Sequence, residues 1–463
     1  MTKKTRLIIL IVCAIIFFIM TPYMVLYSLG YRVDFKKLKI VVTGGIYIKA
    51  LPQEVNISID SKINDKTGIL SYSIFEQNLL PGKHNISVKK DGYYDYQKNL
   101  DVKENEVTKL EHVILFKEKI PFILLENDID YFSMAPDENS LLEAKIDDKK
   151  ISFALLNVSS QQKKSFSLPF KNAAITDLKW SSDSKKALLN IKNNYFILDF
   201  SSQAINITPL PFLIEAKEVF LNPRSENPAP QILATSQNSN EIFFIKNKNL
   251  YSNKKNLPII KNVITYQITN NSITWLSYDG FLYNSDITGK IISKITLRVF
   301  SVKKNSLYNI TIISAITFLR EDESLFLLNQ KSKIFENFYS PAQNIKTSPD
   351  GQKISYHNDH EILLSYLNSD NLDKIFLNRF SEKISDCYWL NDDYLIFNLG
   401  NKVVISETDY RGNVNTVSLQ ETMSLADGKT VIIENPKIYF NQQDKKLYIL
   451  TGGKLLNSEK LIP

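Results

Sequence analysis

The alternation of hydrophobic and polar positions changes character about 30 residues into the chain. Three positive charges within residues 3–6 precede an uncharged run from Leu7 to Tyr31, and the next charge is Arg32. A helix of that length reaches roughly 37 Å at about 1.5 Å per residue, which is enough to cross a hydrocarbon core of about 30 Å with some tilt. The pattern predicts one transmembrane helix over residues 7–31, in contact with the lipid bilayer.

Two interpretations of this apolar run stay open. Ser28-Leu29-Gly30 fits the small-residue cleavage site of a signal peptide, but the apolar stretch before it exceeds the 7–15 residues typical of such peptides. We therefore expect an uncleaved signal anchor. Positive charges on both sides of the run, including Lys36 and Lys37, nearly balance the charge bias. The position of the run near the N-terminus favours a cytoplasmic tail of residues 1–6 and an extracytoplasmic body.

The segment after the apolar run has short alternating stretches separated by turns. Residues 55–60 and 85–89 alternate apolar and polar side chains, as half-buried strands do. Between them Pro81-Gly82 predicts a turn, because proline fixes φ at the first corner and glycine accepts a positive φ at the second. Further apolar runs lie on either side. We predict a small antiparallel β-sandwich over residues 44–116.

Three motifs in this segment resemble those of the PEGA domain, a small β-sandwich module of bacterial surface proteins. They are Pro52-Gln53-Glu54-Val55, Leu79-Leu80-Pro81-Gly82-Lys83-His84-Asn85-Ile86 and Lys90-Asp91-Gly92-Tyr93. The last two follow the family pattern closely. The first departs from it, because Val55 replaces the usual alanine and the glycine expected after Asp60 is absent.

The PEGA resemblance implies a surface location and contact with glycans or proteins, and it implies no catalysis. A group of three tyrosines, Tyr93, Tyr94 and Tyr96, follows the last of the motifs. We interpret these side chains as packing residues at the edge of the sandwich, with a ligand platform as the alternative.

Beyond residue 125, short apolar strands recur, each followed by a polar turn. The equivalent positions are Met134, Trp180, Leu221, Ile268, Thr311, Thr347, Trp389 and Phe440. A strand repeat of about 40–45 residues is typical of propeller blades. No amphipathic helix of useful length is visible, which argues against a helical solenoid. We predict a β-propeller over residues 120–463 with eight blades, or seven as the alternative, in which a strand at 120–125 completes the last blade.

The best-formed repeat, Thr347-Ser348-Pro349-Asp350-Gly351-Gln352-Lys353-Ile354, resembles the strand–turn units of the TolB family of propellers. That resemblance implies protein binding. Trp180 and Trp389 stand just before such turns and are expected to pack between blades. Trp275 falls on the second strand of its unit.

Composition and charge exclude several classes of function. The net charge of +7 is spread thinly over 463 residues without a Lys/Arg block, so we expect no nucleic-acid partner. The two cysteines, Cys13 and Cys387, lie in different parts of the chain, so we predict no disulfide framework and no cysteine-based metal site.

The candidate chemistry is sparse. His357-Asn358-Asp359-His360 is interpreted as a polar hairpin turn, with a zinc site as the less favoured reading. A recurring turn aspartate is expected to cap each turn through backbone hydrogen bonds, with calcium as the alternative. It is present at Asp137, Asp183 and Asp350. The chain lacks a Gly-x-Ser-x-Gly elbow, a phosphate loop and a dinucleotide fingerprint. We predict no catalytic, cofactor-binding or metal-binding residues and no cofactor.

The sequence therefore predicts an all-β protein: one transmembrane helix, a PEGA-like sandwich and a seven- or eight-bladed propeller. The expected function is that of a membrane-anchored extracytoplasmic binding or scaffold protein of the bacterial cell envelope. Its partner would be an envelope protein or glycan held on a propeller face. The alternative is an envelope glycan hydrolase or lyase with its site in the propeller channel.

Overall fold

The computed structural model describes residues 3–34, 39–68, 71–171, 173–213, 218–221, 241–269, 272–368, 372–425 and 428–463. Two features of the sequence prediction lie outside the described residues. One is the pair of charges Lys36 and Lys37 after the apolar run. The other is the Asn222-Pro223 turn of the third repeat.

The chain begins with helix α1 (Lys3–Ser28), which packs against none of the sheets along its apolar length. Eighteen consecutive residues within Lys4–Ser28 have a mean hydropathy of 2.7, and the segment is long enough to cross a membrane. These properties fit a membrane anchor and a signal sequence alike. A two-stranded antiparallel hairpin, β1 (Tyr31–Asp34) and β2 (Lys39–Val42), follows directly.

Two stacked sheets form a small sandwich after this hairpin. The strands are β3 (Gly44–Leu51), β4 (Asn56–Ile59), β5 (Ile63–Lys66), β6 (Ser73–Leu79), β7 (Gly82–Lys89), β8 (Tyr96–Val102) and β9 (Val107–Ile114). One sheet has the order β6-β3-β9 and the other β5-β4-β7-β8. Alternate side chains of the two sheets, such as Ile46, Ile57 and Val88, meet in a closed core.

One strand pair of the sandwich differs from the antiparallel arrangement that the sequence predicts. Strands β3 and β9 pair in parallel, with Ile46 opposite Thr108, whereas the remaining pairs between the described sandwich strands are antiparallel. A parallel pair needs a long crossover. The connection between β3 and β9 contains five strands, of which β6 returns to the first sheet and the other four form the second sheet. Local alternation carries no information about that path.

The rest of the chain consists of small sheets in sequence. Strand β10 (Phe122–Asn127) comes first, and the next four sheets are blades 1–4. Blade 1 consists of β11 (Tyr131–Met134), β12 (Ser140–Ile146), β13 (Ile151–Asn157) and β14 (Lys163–Leu168), and blade 2 of β15 (Ile175–Trp180), β16 (Lys186–Ile191), β17 (Asn194–Asp199) and β18 (Asn206–Pro209). Blade 3 consists of β19 (Glu218–Leu221), β20 (Ile242–Lys246) and β21 (Asn249–Ser252), and blade 4 of β22 (Val263–Thr269), β23 (Ser272–Ser277), β24 (Leu282–Asp286) and β25 (Ile292–Lys294). A short 3-10 helix, Pro211–Leu213, precedes blade 3.

Blades 5–7 follow the same plan. Blade 5 consists of β26 (Tyr308–Ile313), β27 (Ile316–Glu321), β28 (Ser324–Asn329) and β29 (Ile334–Tyr339). Blade 6 consists of β30 (Gln343–Thr347), β31 (Lys353–His357), β32 (Glu361–Tyr366) and β33 (Ile375–Arg379). Blade 7 consists of β34 (Ile384–Asn391), β35 (Tyr394–Leu399), β36 (Lys402–Glu407) and β37 (Thr416–Ser418). A hairpin of β38 (Thr422–Ser424) and β39 (Thr430–Ile432) then leads to β40 (Lys437–Asn441), β41 (Lys446–Thr451) and β42 (Lys454–Lys460).

The last sheet, blade 8, joins the two ends of the repeat region. Its order is β10-β42-β41-β40, with Phe122 opposite Ser458. The prediction that a strand near 120–125 completes the last blade is confirmed. Side chains of blade 8, such as Tyr448 and Leu455, pack with Ile129 and Leu141 at the start of blade 1.

The blades form a closed ring. A buried apolar cluster joins each blade to the next, from blades 1 and 2 around to blades 8 and 1. The first strands of neighbouring blades also contact each other, for example β30 with β34 and β34 with β40. These strands line the axis, as the innermost strands of a propeller do. The described residues therefore form an eight-bladed β-propeller, in agreement with the sequence prediction.

The turn residues act as the sequence predicts. Asp183 Oδ1 accepts hydrogen bonds from Ser181 Oγ at 2.7 Å and from the Lys185 amide at 3.2 Å. Asp350 does the same for Ser348 Oγ at 2.5 Å and the Gln352 amide at 3.0 Å. The side chain thus satisfies donors that the tight turn leaves unpaired.

Candidate functional site

The sandwich is joined to blade 7 along β8, which is an edge strand of its sheet. The loop between β36 and β37, which we call the asparagine loop, runs beside β8. Asn413 Nδ2 donates to the Gln97 carbonyl at 2.7 Å, and Asn413 Oδ1 accepts from the Asn99 amide at 2.9 Å. Asn415 Oδ1 accepts from the Gln97 amide at 3.2 Å. These asparagine side chains thus take the place of a partner strand and cover an edge that would otherwise be open to pairing.

A buried ion pair lies beneath this loop. Lys98 Nζ lies 2.6 Å from Glu407 Oε1 and 2.6 Å from the Asp409 carbonyl. Tyr96 donates its hydroxyl proton to Glu407 Oε2 at 2.8 Å. Burial, with the Glu407 carboxylate nearby, raises the pKa of Tyr96 far above its usual value, so the hydroxyl stays a donor. Every charge at the centre of the contact has a partner, which is the condition for burying an ion pair.

The contact extends to β9, the edge strand of the other sheet. Arg411 donates to the Lys109 carbonyl at 2.9 Å and pairs with Asp409 at 2.8 Å, which holds the pKa of that carboxyl below its usual value although burial opposes the shift. The Ile114 amide donates to Tyr394 Oη at 3.1 Å. Blade 7 therefore contacts both sheets of the sandwich, and the sandwich and the propeller are packed against each other along this contact.

A second candidate region lies at the propeller axis, on the inner strands of blades 6, 7 and 8. We call Lys346, Asp386, Tyr388 and Tyr439 the axial patch. Lys346 Nζ lies 3.3 Å from the centre of the Tyr388 ring, and the Tyr388 and Tyr439 rings meet edge to face at 5.5 Å. All four side chains are partly exposed. The patch therefore offers aromatic surface and a cation side by side.

Lys346 is the unusual member of the axial patch. Within the described part of the chain, its ammonium donates no hydrogen bond and forms no ion pair, and its contact is with the face of Tyr388. Burial lowers the pKa of Lys346 to about 8, although Cys387 and Asp386 nearby act in the opposite direction. A desolvated cation without a carboxylate partner is able to bind an anionic group of a ligand.

The carboxylates in the axial patch and beside it already have structural partners. Asp386 accepts a hydrogen bond from Asn398 Nδ2 at 3.2 Å. Glu138, in the first turn of blade 1, accepts from the Gln443 amide at 2.8 Å and lies 3.5 Å from the Tyr439 hydroxyl. Burial raises the pKa of both carboxyl groups. The bond of Glu138 fastens blade 1 to blade 8, and that of Asp386 joins two strands of blade 7. Both carboxyl groups are thus engaged in structural hydrogen bonds.

Bulges shape the inner strands at this site. The pairing of β30 with β31 shifts register between Gln343 and Ile345, and that of β34 with β35 shifts between Ser385 and Tyr388. Asn344 and Asp386, within these two shifts, both have positive φ, of 34° and 46°. Bulges re-aim side chains and are frequent next to binding sites.

The paired histidines occupy the hairpin that the sequence predicts, since β31 ends at His357 and β32 begins at Glu361. His357 is buried and its Nδ1 lies 3.0 Å from the Asn358 carbonyl. Burial lowers its pKa, so the ring is neutral, and its Nε2 has no partner among the described residues. In the described ranges, no three His, Cys, Asp or Glu side chains are close enough together to hold a metal ion.

The other residues singled out from the sequence have structural surroundings. Tyr93 packs on the core of the sandwich and Tyr94 on the blade 7 and 8 cluster, while Tyr96 is buried in the contact with blade 7. Packing is thus the role these contacts show. Cys13 is exposed on α1, and Cys387 is buried, which raises its pKa to about 12. The two thiols are not bonded to each other.

Comparison with known proteins decides the nature of the sandwich. Residues 43–115 match the family model of the PEGA domain. These residues form a PEGA domain. The β8 edge strand that blade 7 covers, and the β9 edge beside it, both belong to this PEGA domain. A search of curated proteins finds no match to the chain.

Solved structures similar to the chain include several propellers. The C-terminal WD40 domain of Sif2 shares 12% identity and a TM-score of 0.48, over 75% of this chain and 99% of that one. The WD40 domain of SCAP from fission yeast shares 15% identity and a TM-score of 0.39, over 74% and 99%. The designed protein Ika8 shares 8% and 0.43, over 74% and 99%. Similarity at this level says nothing about function.

Sequence reasoning missed the contact between the PEGA domain and blade 7, and it also missed the axial patch. The contact joins residues more than 300 positions apart. A weak signal for it was present in β8, where Lys98 occupies an inward-facing position of the alternation between Tyr96 and Leu100. A lysine in such a position needs a buried acidic partner.

Proposed function

We propose that the chain is a membrane-anchored extracytoplasmic binding or scaffold protein of the bacterial cell envelope. In this proposal α1 is an uncleaved anchor, residues 7–31 contact the bilayer, and residues 1–6 form a cytoplasmic tail. The PEGA domain and the propeller (residues 44–116 and 120–463) stand outside the membrane, and the propeller binds an envelope glycan or protein.

The contact between the PEGA domain and blade 7 carries this proposal. The propeller is held in one orientation on the PEGA domain by the Lys98–Glu407 ion pair and by the asparagine loop. The PEGA domain in turn follows the anchor closely in the chain. A fixed orientation toward the membrane serves a protein that presents a binding surface. A freely tethered enzyme domain would have no need of it.

The axial patch is the surface that we propose for binding. Tyr388 and Tyr439 offer rings on which a sugar or a peptide side chain stacks, and Lys346 offers a cation without a carboxylate partner in the described residues. This combination favours a ligand that bears carboxylate or other anionic groups. The alternative, a glycan hydrolase or lyase in the channel, would use Asp386 and Glu138, and both are engaged in bonds between structural elements.

Two measurements test the proposal. Full-length protein in bacterial membranes should resist alkaline carbonate extraction, keep its complete mass and be cleaved by protease added from outside.

The second measurement compares the affinity of the protein for uronic-acid oligosaccharides and for neutral ones. The affinity for the acidic oligosaccharides should be higher. Lys346→Met should lower that affinity at least tenfold, whereas Lys179→Met, at a lysine of blade 2 that pairs with Asp177 at 3.5 Å, should leave it unchanged. Equal binding by both variants would remove the patch from the proposal, and cleavage of the oligosaccharide would favour the enzyme.

A further inference from the structure

The hairpin that follows α1 has two chemically different faces. Residues directly opposite each other in an antiparallel pair share a face, and so do residues two apart. The register pairs Tyr31 with Val42, and Val33 with Ile40. These four side chains therefore lie on one face, which we call the apolar hairpin face. The neighbouring pair, Arg32 opposite Val41, lies on the other face, as does Lys39.

The apolar hairpin face is uncovered. Ile40 is 63% exposed, Val33 42% and Tyr31 36%. None of them belongs to the buried core clusters of the described residues, although the PEGA domain core begins a few residues further along the chain. A two-stranded hairpin is only marginally stable in water by itself. An exposed apolar face on such an element points to a contact that the described residues do not supply.

The hairpin is also held close to α1. Only Leu29 and Gly30 separate α1 from β1. Arg32 donates to the Tyr27 carbonyl at 2.7 Å and lies 3.4 Å from the centre of the Tyr27 ring. The Thr43 amide donates to the Gly30 carbonyl at 2.9 Å. The hairpin therefore cannot move away from the end of α1.

Arg32 also connects the hairpin to the PEGA domain, because its second terminal nitrogen donates to Asn78 Oδ1 at 2.9 Å. One guanidinium thus joins the end of α1, the hairpin and β6. If α1 spans the bilayer, the hairpin lies at the level of the lipid headgroups. Tyrosine and arginine are the residues favoured at that level.

We propose that the apolar hairpin face inserts into the lipid headgroup region and fixes the height and tilt of the extracytoplasmic body; this inference rests on the proposed anchoring by α1. The partner is the bilayer itself and not a second protein. The hairpin stays in the interface because the edge groups of a two-stranded sheet have no partners in hydrocarbon. Lys39, on the opposite face, is exposed and presents its charge to the headgroups and water.

Spin labels on the full-length chain test this in nanodiscs of phosphatidylethanolamine and phosphatidylglycerol. In a Cys13→Ser background, nitroxides are placed by Ile40→Cys on the apolar hairpin face, by Lys39→Cys on the opposite face and by Phe17→Cys inside α1. Accessibility to oxygen and to a water-soluble nickel complex gives the depth of each label. The unmodified background corrects for any labelling of Cys387, which is buried.

The expected result is an intermediate depth for the label at position 40, at least 5 Å deeper than that at position 39. Water exposure at both positions, with position 17 in hydrocarbon, overturns the hairpin contact and leaves the anchor intact. Water exposure at position 17 overturns the anchor and the inference together. Protection at position 40 from both reagents means that protein covers the face, which also overturns the inference.

Discussion

Lys98 Nζ and Glu407 Oε1 lie 2.6 Å apart, and both side chains are almost completely withdrawn from solvent. The lysine belongs to the PEGA domain and the glutamate to blade 7, so this ion pair lies at the centre of the contact between the two folds. Because it is buried, its two ends depend on each other. Loss of Lys98 leaves the Glu407 carboxylate without a cationic partner in a low-dielectric site, whereas Lys98 itself also has the Asp409 carboxylate 3.8 Å away.

Removing the lysine should therefore destabilise the protein strongly. Lys98→Met leaves Glu407 buried and unpaired, and we expect it to lower the free energy of unfolding by about 3–5 kcal/mol. Denaturant unfolding of the full-length chain in detergent measures this. Lys89→Met is the matched control, because Lys89 and Asp95 form an ion pair that is about half exposed, worth about 1 kcal/mol or less. Equal losses in the two variants would contradict the buried pair.

The asparagine loop leaves no room for a larger residue at Gly412. A Cβ atom there would lie 1.9 Å from the Asn99 carbonyl oxygen, and the residue has φ of +67°. Gly412→Ala should force blade 7 away from β8 and speed proteolytic cleavage of the connection between the folds, residues 117–121. Gly351→Ala has nearly the same φ, +69°, with no atom within 4 Å. It should cost about 1 kcal/mol in backbone strain and leave the connection protected.

The fold could be predicted from the sequence because the patterns that indicate it are local. Strand alternation, turn residues and the common position of Trp180 and Trp389 in their repeats are set by neighbouring residues. Ring closure could also be predicted from the sequence. The last repeat is one strand short, and the apolar run at 120–125 could supply the missing strand. The parallel pairing of β3 with β9 was not accessible, because it depends on the path of five intervening strands.

Each of the two repeated tryptophans, Trp180 and Trp389, donates a hydrogen bond to the preceding blade. Trp389 Nε1 donates to the Lys346 carbonyl at 3.0 Å, and Trp180 Nε1 donates to Ser133 Oγ at 3.0 Å. Trp389→Phe removes the donor, and we expect a loss of about 1 kcal/mol beyond the loss of ring volume. Trp275→Phe supplies the volume term, because Trp275 is similarly buried. Unfolding monitored by circular dichroism compares the two. A smaller loss for Trp389→Phe would contradict the role of the bond.

The candidate site was less accessible from the sequence than the fold, for physical reasons. Lys346 stands among many exposed lysines in a lysine-rich chain, and its isolation comes from the blade that packs beside it. Tyr388 and Tyr439 lie 51 positions apart and meet because their blades are neighbours in the ring. Repeat spacing predicts which blades are neighbours, but it does not predict which side chains turn toward the axis at a bulge.

The low pKa of Lys346 predicts a pH-dependent cost to folding. The pKa falls from its usual 10.5 to about 8 in the folded chain because burial disfavours the ammonium. Between these two values the unfolded chain binds more protons at this residue, so its contribution to the free energy of unfolding rises with pH. Below pH 8 both states are protonated, and the folded chain bears the full cost of about 3 kcal/mol or less.

Replacing Lys346 with an apolar residue of similar shape should remove this cost. Lys346→Met should be more stable than the parent at pH 7 by about 1–3 kcal/mol, and the difference should shrink as the pH rises from 8 to 10.5. Denaturant unfolding at a series of pH values measures the difference directly. Lys179→Met should not stabilise the chain, because Lys179 Nζ has the Asp177 carboxylate 3.5 Å away. A Lys346→Met variant that is less stable than the parent at pH 7 would mean that the ammonium has a partner and that the axial patch holds no free cation.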